Sequence, residues 1–317
     1  MTSPLLIGLS AVLVASDGPN TRVLVVRRDD ESAALPFGAF DPDRHRTFDL
    51  SLRGWVREQT GFEFGYVEQL YTFGDKDRDT PAATLQDAPA DARVISIGYL
   101  ALTPAANPPD AGFEASWQDI YRYFPWEDHR GGRPAIIDNE ILPRLTTWAV
   151  GNARRMERVE ITFAPGQNRW MEERVLDRYE LLYEAGLVSE CARDIGLPQP
   201  DVKLGQAMAS DHRRILATAI SRLRGKLKYR PIIFELMPDR FTLSALQKTV
   251  EGLLGLNLHT QNFRRALDKT GFVKGTGIME TGTGGRPAEV FTYDRSYARG
   301  MAASGIATPR EKSSDPS

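Results

Sequence analysis

Cysteine, long apolar runs and net charge are all scarce in this sequence. Cys191 is the single cysteine among 317 residues, which excludes an intrachain disulfide and favours a reducing compartment. The longest apolar runs, at residues 4–15 and 93–102, are too short to span a bilayer. The N-terminus carries neither a cationic flank nor a cleavage site. We therefore expect a soluble cytoplasmic protein without a membrane segment.

The composition is that of a folded protein. Hydrophobic residues make up 41% of the chain and aromatic residues 9%, which excludes disorder over most of its length. A chain of this length corresponds to about two domains. The histidines show no metal-ligand spacing, so we predict no zinc site; they are His45, His129, His212 and His259.

The overall charge of −2 conceals a division along the chain. Residues 1–208 carry 22 Lys and Arg against 32 Asp and Glu, a balance of −10. Residues 209–299 carry 16 against 8, a balance of +8. An acidic part followed by a basic part indicates that the basic part contacts an anion. The alternative is a solvated surface whose charge is merely uneven.

The first part has the pattern of an α+β domain. Two apolar segments at residues 5–15 and 22–28 flank the turn Asp17-Gly-Pro-Asn20 and predict a hairpin. A helix is predicted from about residue 47 to residue 60, where Gly61 ends it. Its core-facing residues, at helical spacing, are Phe48, Leu52, Trp55 and Val56. The remaining predicted elements are strands at residues 65–73 and 93–103 and a helix at about residues 136–155.

The second part has the pattern of a winged helix-turn-helix. Residues 156–208 predict a helical connector whose long helix, at 170–185, could contribute to a dimer contact. Short helices follow, capped by Asp211, Thr242 and Thr260, and then a β-hairpin around a Gly/Thr-rich loop. The tail from residue 296 is rich in Ala, Gly, Ser and Pro and is predicted to be disordered.

The helix that begins after Thr260 has the pattern of a recognition helix. Phe263, Ala266 and Leu267 form an apolar stripe that leaves polar side chains on the opposite face. Arginine can pair with guanine and Asn or Gln with adenine, while lysine neutralises phosphates. The predicted DNA-contacting residues are Thr242, Thr260, Gln261, Asn262, Arg264, Arg265, Lys269, Arg286, Arg224 and Lys226.

Thr242 caps the preceding helix, and two further groups in that set also lie outside the recognition helix. Arg286 belongs to the Gly-rich loop, which would form the wing, while Arg224 and Lys226 belong to an upstream basic cluster placed to contact the DNA backbone. The alternative is a domain that binds protein, with a solvated helix face.

Near the N-terminus, Leu35-Pro-Phe-Gly-Ala-Phe40 and Gly54-Trp-Val-Arg-Glu-Gln-Thr-Gly-Phe62 resemble a Nudix domain. The Nudix box reads G-x5-E-x7-R-E-U-x-E-E-x-G-U, and its glutamates hold Mg²⁺ against a pyrophosphate. Aligned on Gly61-Phe62, the R-E pair falls on Gly54 and Trp55, and the E-E pair on Glu58 and Gln59. One carboxylate of that cluster remains. We therefore predict no catalytic residue and no metal site.

A degenerate Nudix domain followed by a winged helix resembles the Nudix-related transcriptional regulators of NAD metabolism, the NrtR or NadQ group. The resemblance covers about residues 5–150 and 209–295. It is strongest at residues 211–228 and 240–254, Asn262-Phe-Arg-Arg-Ala-Leu267 and Gly284-Gly-Arg-Pro287. It implies an α+β fold, with an N-terminal Nudix-like α/β/α sandwich and a C-terminal winged helix-turn-helix. The implied divisions are a ligand-sensing domain at 1–155, a connector at 156–208, a DNA-binding domain at 209–295 and a tail at 296–317.

The same resemblance implies a function. It indicates a homodimeric repressor of NAD synthesis or salvage genes that binds a double-stranded DNA operator and requires no cofactor. The implied effector is an adenine nucleotide, namely ADP-ribose, ATP or NAD, and the sign of its effect on DNA binding is open. Two alternatives are an active pyrophosphohydrolase of ADP-ribose or NADH with an accessory nucleic-acid-binding domain, and a protein-interaction module.

A nucleotide pocket needs an aromatic surface for adenine and cations or amides for the phosphates. The candidate ligand-binding residues are Arg27, Arg28, Phe37, Arg53, Arg57, Tyr71 and Trp126. Ordinary core packing is the alternative for Phe37 and Tyr71, and a solvated surface is the alternative for Arg27 and Arg28.

Replacing Arg265 with alanine is expected to weaken operator binding by about 1–3 kcal/mol, because a bidentate contact between arginine and a base contributes about that much discrimination. Gel shifts with DNA from upstream of the gene measure the change. Equal affinity of Arg265→Ala and wild type would contradict the placement of this helix in the major groove.

Overall fold

The computed structural model describes residues 4–28, 32–75, 92–104, 107, 109, 113–166, 169–280 and 287–296. A seven-stranded sheet contains β1 (Leu5–Asp17), β2 (Asn20–Arg27), β3 (Ala33–Ala34), β4 (Phe37–Ala39), β5 (Tyr66–Phe73), β6 (Arg93–Thr103) and β7 (Ala115–Asp119). A three-stranded sheet contains β8 (Phe241–Thr242), β9 (Val273–Glu280) and β10 (Ala288–Tyr293).

The α-helices are α1 (Phe48–Thr60), α2 (Leu142–Ala149), α3 (Ala153–Phe163), α4 (Val175–Glu184), α5 (Ser189–Ile195), α6 (His212–Leu227), α7 (Leu243–Leu254) and α8 (Thr260–Asp268). Within the described part of the chain, none of the helices combines the length and the apolar character needed to cross a membrane.

Strand β1 lies at the centre of the larger sheet and is buried on both faces. It pairs in parallel with β6 and antiparallel with β2 and β4. Alternate side chains point to opposite faces of a strand, so Leu9 and Leu13 pack toward α1 while Val12 and Val14 pack into the core that contains α6. Helical layers therefore cover both faces, as the predicted α/β/α sandwich requires.

Several elements that were predicted from turn and cap residues are present in the structure. Asp17 pairs with Asn20 across a tight hairpin turn, where Gly18 adopts a φ of 59°. Thr47 caps α1 by accepting a hydrogen bond from the backbone N–H of Leu50. Gly61 ends α1 at a φ of 73°, in the left-handed region that glycine adopts without strain.

The prediction of one continuous helix over residues 136–155 is wrong, because the segment forms two helices. One turn of π-helix at Ile137–Ile141 leads into α2, which stops before Gly151, where φ is 74°. The side chain of Asn152 then caps α3 by accepting from the N–H of Arg155. The left-handed glycine followed by an Asx cap is a helix stop and a helix start in succession.

Two other boundaries also differ from the predictions, and one residue at its predicted cap position makes no capping hydrogen bond. The helix predicted over 170–185 is the shorter α4. The side chain of Asp211 makes no capping hydrogen bond and instead pairs with Arg214 at 3.1 Å. Thr260 is the first residue of α8, and His259 occupies the cap position.

Helix α6 packs against the larger sheet although the predicted division placed it in the DNA-binding domain. The methyl group of Ile215 lies so close to Gly98 of β6 that a Cβ at residue 98 would lie 3.0 Å from it. Leu216 and Ile220 of α6 share one core cluster with sheet residues and with Leu246 of α7. The division at residue 208 stays a prediction, but this shared core joins the two parts.

A buried cluster of three charged residues also joins the two parts. The carboxylate of Glu127 is 1% exposed and contacts two arginines that are fully buried. Arg178 of α4 donates to it at 2.5 and 2.9 Å, and Arg224 of α6 at 2.6 Å. Arg224 also donates to the carbonyl of Leu253 in α7 at 2.8 Å. Burial alone would raise the pKa of Glu127, but the two arginines hold it below its usual value.

Replacing Glu127 with glutamine is expected to lower the free energy of unfolding by about 3–5 kcal/mol, because two buried cations lose their countercharge. Since the folded-state pKa of Glu127 is depressed, its contribution is present above the unfolded pKa and is lost as pH falls through the folded value. The gap between wild type and variant is therefore widest at neutral pH and narrows in acid.

Urea unfolding at several pH values measures that gap. Glu58→Gln is the matched control, because Glu58 is an exposed carboxylate on α1. A Glu127→Gln protein as stable as Glu58→Gln at pH 7 would contradict the structural role of the cluster.

Candidate nucleic-acid interface

Helices α7 and α8 form a helix-turn-helix beside the hairpin of β9 and β10. Thr242 caps α7 by accepting from the N–H of Ala245 at 3.1 Å. Gly255 ends α7 with a φ of 69°, which lets the chain turn into α8. Strand β10 pairs with both β8 and β9, so the hairpin is fixed to the start of α7. This is the arrangement of a winged helix.

Helix α8 is strongly amphipathic. Leu267 is buried and Phe263 is half-buried, whereas Ala266 of the predicted stripe is exposed. The predicted DNA-contacting side chains of this segment are all exposed, and they are Thr260, Gln261, Asn262, Arg264, Arg265 and Lys269. The structure thus presents amides and guanidinium groups together on one helix, as readout of base edges requires. Their contact with DNA stays a prediction.

The turn between α7 and α8 is held by two side chains that the sequence reasoning missed. Gln247 donates through Nε2 to the carbonyl of Leu258 at 3.0 Å and to Oε1 of Glu251 at 2.9 Å. The same Oε1 accepts from the N–H of Leu258 at 2.8 Å. Gln247 and Glu251 stand four residues apart on α7, and that spacing is the signal in the sequence for their pairing.

The turn is also bound to the first domain. The N–H of His129 donates to the carbonyl of Gly255 at 2.8 Å, and Asn257 donates to the carbonyl of Arg130 at 2.7 Å. At Gly252 the α7 backbone approaches the β1–β2 turn so closely that a Cβ would lie 2.4 Å from the carbonyl oxygen of Pro19. The orientation of α8 is therefore tied to the segment around residues 127–130.

Burial corrects two of the predicted DNA contacts. Arg224 is fully enclosed by the ion-pair cluster, and Lys226 pairs with Glu68 and donates to the hydroxyl of Tyr66 at 3.3 Å. Neither cation can reach a phosphate from these positions. Arg224 lies four residues after Ile220 on the apolar side of α6, so helical spacing could have revealed its burial.

The remaining residues of the predicted DNA set have other positions. Thr242 is partly buried and uses its hydroxyl oxygen as the cap of α7. Arg286 lies outside the described residues, so the predicted wing contact is not placed. In the upstream cluster, Arg222 and Arg230 are exposed, while Lys228 pairs with Glu173 at 2.8 Å.

Two candidate ligand-binding residues meet at the end of β2. The guanidinium of Arg28 lies 5.5 Å from the centre of the Phe37 ring, and Arg27 beside it is exposed. Phe37 also contacts the buried ring of His212, with centroids 5.0 Å apart. Burial, with Arg28 and Arg193 nearby, lowers the pKa of His212 to about 3, so this imidazole is neutral at physiological pH.

A second pair of candidates lies on the outer face of α1. Arg53 and Arg57 line a cavity of about 360 Å³ together with Phe62 and Phe64. Arg53 is held by Asp49 at 3.1 Å and lies over the Phe64 ring at 4.6 Å, whereas Arg57 is exposed. An aromatic wall beside cations is the chemistry that a nucleotide pocket needs.

Two aromatic candidates stand apart from both groups. Trp126 is fully buried in the core, so its predicted role as an adenine platform is wrong. Tyr71 is 61% exposed on β5, where its ring meets the edge of Phe73. The structure therefore divides the candidate ligand-binding set between separate places.

Two side chains of α1 occupy positions that align with metal-binding glutamates of the Nudix box. Both make hydrogen bonds to β4. Trp55 donates from Nε1 to the carbonyl of Ala39 at 3.0 Å, and its ring lies on Gly38, where a Cβ would be 2.2 Å away. The Gln59 amide accepts from the N–H of Phe37 at 3.1 Å and donates to its carbonyl at 2.5 Å. Among the described residues, no group of three Asp, Glu, His or Cys side chains is placed to hold a metal ion. The residues present do not fit the Mg²⁺ that the Nudix box implies.

The C-terminal part of the chain is similar to DNA-binding domains of known proteins. Residues 233–293 match the NrtR DNA-binding winged helix domain. Over 86 residues the chain is 37% identical to the ADPR responsive transcriptional repressor NtrR of Acinetobacter baylyi. That match covers 27% of this chain and 34% of the relative, so it spans about a third of the relative's length.

Solved structures show the same fold over most of the chain. Shewanella oneidensis NrtR, crystallised in complex with a 27mer DNA, matches with a TM-score of 0.55 at 18% identity, over 92% of this chain and 95% of that one. A MutT/nudix family protein from Enterococcus faecalis matches with a TM-score of 0.53 at 17% identity, over 93% and 88% of the two chains. The chain thus has a Nudix-type fold joined to a winged helix, as in NrtR.

Trp55→Glu is expected to produce no Mg²⁺-dependent hydrolysis of ADP-ribose or NADH, because Gln59 still lacks a carboxylate. The variant is also expected to melt at a lower temperature, since the indole leaves Gly38 and the hydrogen bond to Ala39 is lost. Product formation and thermal unfolding measure both effects, with Trp55→Phe as the control that keeps an aromatic ring. Steady turnover by Trp55→Glu would contradict this interpretation.

Proposed function

We propose, on the premise that an NrtR-type winged helix domain is joined here to a Nudix-type fold, that this chain is a transcriptional repressor that binds operator DNA. The observation that carries the proposal is the polar surface of α8, where Gln261, Asn262, Arg264 and Arg265 are exposed while the anchoring residue Leu267 is buried. The +8 balance of residues 209–299 favours a polyanionic partner.

We propose ADP-ribose as the effector, because the curated relative that matches part of this chain is named as ADPR responsive. The arginine and phenylalanine side chains around Arg28–Phe37 and around Arg53–Arg57 offer two places for an adenine nucleotide. ATP and NAD are the competing effectors. Genes of NAD synthesis or salvage are the proposed targets, in a cytoplasmic setting.

Control of DNA binding would act through the contacts between the domains. The segment around Asp128–Arg130 holds the turn before α8, so a nucleotide that shifts this segment also shifts the recognition helix. A coupling energy of about 1–3 kcal/mol is typical of such regulation. In a homodimer, two copies of α8 would meet half-sites about 34 Å apart on a near-palindromic operator.

We propose that the Nudix-type domain binds its nucleotide without hydrolysing it. Trp55 and Gln59 replace carboxylates of the aligned box, and both are hydrogen-bonded to β4. An active pyrophosphohydrolase is the competing function.

One set of binding measurements tests the proposal. Fluorescence anisotropy of DNA from upstream of NAD-synthesis genes is expected to show specific binding that weakens steeply with salt. ADP-ribose is expected to change this affinity about 5- to 150-fold, with ATP and NAD measured in parallel. Binding that is absent or independent of salt would contradict the DNA-binding role, and steady hydrolysis of ADP-ribose with Mg²⁺ would contradict the sensor role.

A further inference from the structure

An apolar cavity of about 290 Å³ lies between the recognition helix and the end of α6. Phe263 and Leu267 form its wall on the α8 side, opposite Leu227 at the end of α6. The principal apolar residues around it are Leu227, Phe234, Val250, Phe263, Leu267 and Phe272. The cavity opens to the surface, so a ligand can enter it from solvent and still pack against apolar side chains.

The rim of the cavity is polar and predominantly cationic. Arg230 and Lys228 stand there with Glu172, and Lys228 pairs with both Glu172 at 3.2 Å and Glu173 at 2.8 Å. Arg230 is exposed and has no salt bridge within the part of the chain that the structure describes. Its guanidinium is therefore available to an anionic group at the mouth of the cavity.

We propose that this cavity binds a small aromatic carboxylate. A cavity of about 150 Å³ already accommodates benzene, and drug-sized pockets begin at about 300 Å³, so this space suits one or two fused rings. Phe234 and Phe272 meet edge to face at 6.4 Å and offer aromatic surface to a flat ring. An arginine fork matches a carboxylate in both charge and geometry.

The site is distinct from the proposed nucleotide sites, since it touches none of the candidate nucleotide residues. One of its walls is the inner face of α8, whose outer face carries Arg264 and Arg265. A ligand that packs against Phe263 and Leu267 contacts the recognition helix directly. Its effect on DNA rests on the proposed repressor function, whereas its binding does not.

Isothermal titration of the full-length protein with 2-naphthoate tests the binding. We expect saturable binding at one site per chain, about tenfold tighter than that of the neutral 2-naphthamide. Val250→Phe, which fills the cavity, is expected to weaken binding about tenfold or more. Val150→Phe is the matched control, because Val150 is 75% exposed on the corner between α2 and α3. Absence of saturable binding, or equal binding by Val250→Phe and Val150→Phe, would overturn the proposal.

A second variant, at the mouth of the cavity, tests the proposal independently in case Val250→Phe does not fold. Ala266 lines the cavity but is exposed, so Ala266→Leu narrows the space without disturbing a buried position. It is expected to weaken 2-naphthoate binding while its melting temperature stays close to that of wild type. An Ala266→Leu protein that is folded and binds as tightly as wild type would place the ligand elsewhere.

The role of Arg230 has its own measurement. Arg230→Gln is expected to abolish the preference for 2-naphthoate over 2-naphthamide, because the amide and the acid then meet a neutral rim. Arg154→Gln, which removes an exposed arginine on α3, is the matched control and is expected to keep the preference. A preference that survives in Arg230→Gln would show that another group recognises the carboxylate.

Linkage to DNA separates this proposal from the repressor function. By reciprocity, 2-naphthoate and operator DNA must change each other's affinity by the same factor, which we expect to be at least about fivefold. DNA binding without any effect of bound 2-naphthoate would contradict the coupling and leave the repressor function intact. Binding of 2-naphthoate by a chain that binds no operator would contradict the repressor function and leave the site intact.

Discussion

The carboxylate of Glu127 is the contact on which the rest of this molecule depends. Removing a carboxylate and two guanidinium groups from water is costly unless each is paired and hydrogen-bonded. Here that condition is met only when α4 supplies Arg178, α6 supplies Arg224 and the end of α7 supplies the carbonyl of Leu253. Since these groups come from both parts of the chain, the sheet domain and the winged helix reach full stability together.

The same junction connects the turn before α8 directly to residues of the first part of the chain. The turn before α8 is held from one side by Gln247 and Glu251 and from the other by the backbone of His129 and Arg130. The exposed face of α8 is therefore an extension of a rigid scaffold. Under the proposed repressor function, this junction would favour rotation of a whole body, since packed interfaces switch between discrete arrangements more readily than they deform.

Elements with local signals could be predicted from the sequence, and elements fixed by distant partners could not. The hairpin around Gly18 and the helix from Thr47 to Gly61 follow from turn and cap chemistry within a few residues. Arg224 looked like a surface cation because its partner, Glu127, lies 97 residues away. In the candidate site, the polar face of α8 could be predicted from helical spacing. The nucleotide candidates lie in two places, around Phe37 and around Arg53, because of how β4 packs against α1, and local sequence does not reveal that packing.

The close approach of Gly252 to the carbonyl of Pro19 limits how this architecture can be recombined. A winged helix grafted from a relative onto another sensor would need glycine at this position of α7, and a hairpin turn of the same shape to receive it. Modules joined by a linker exchange freely, but these two meet backbone to backbone. A substitution on either side of this contact would therefore require a compensating change on the other side.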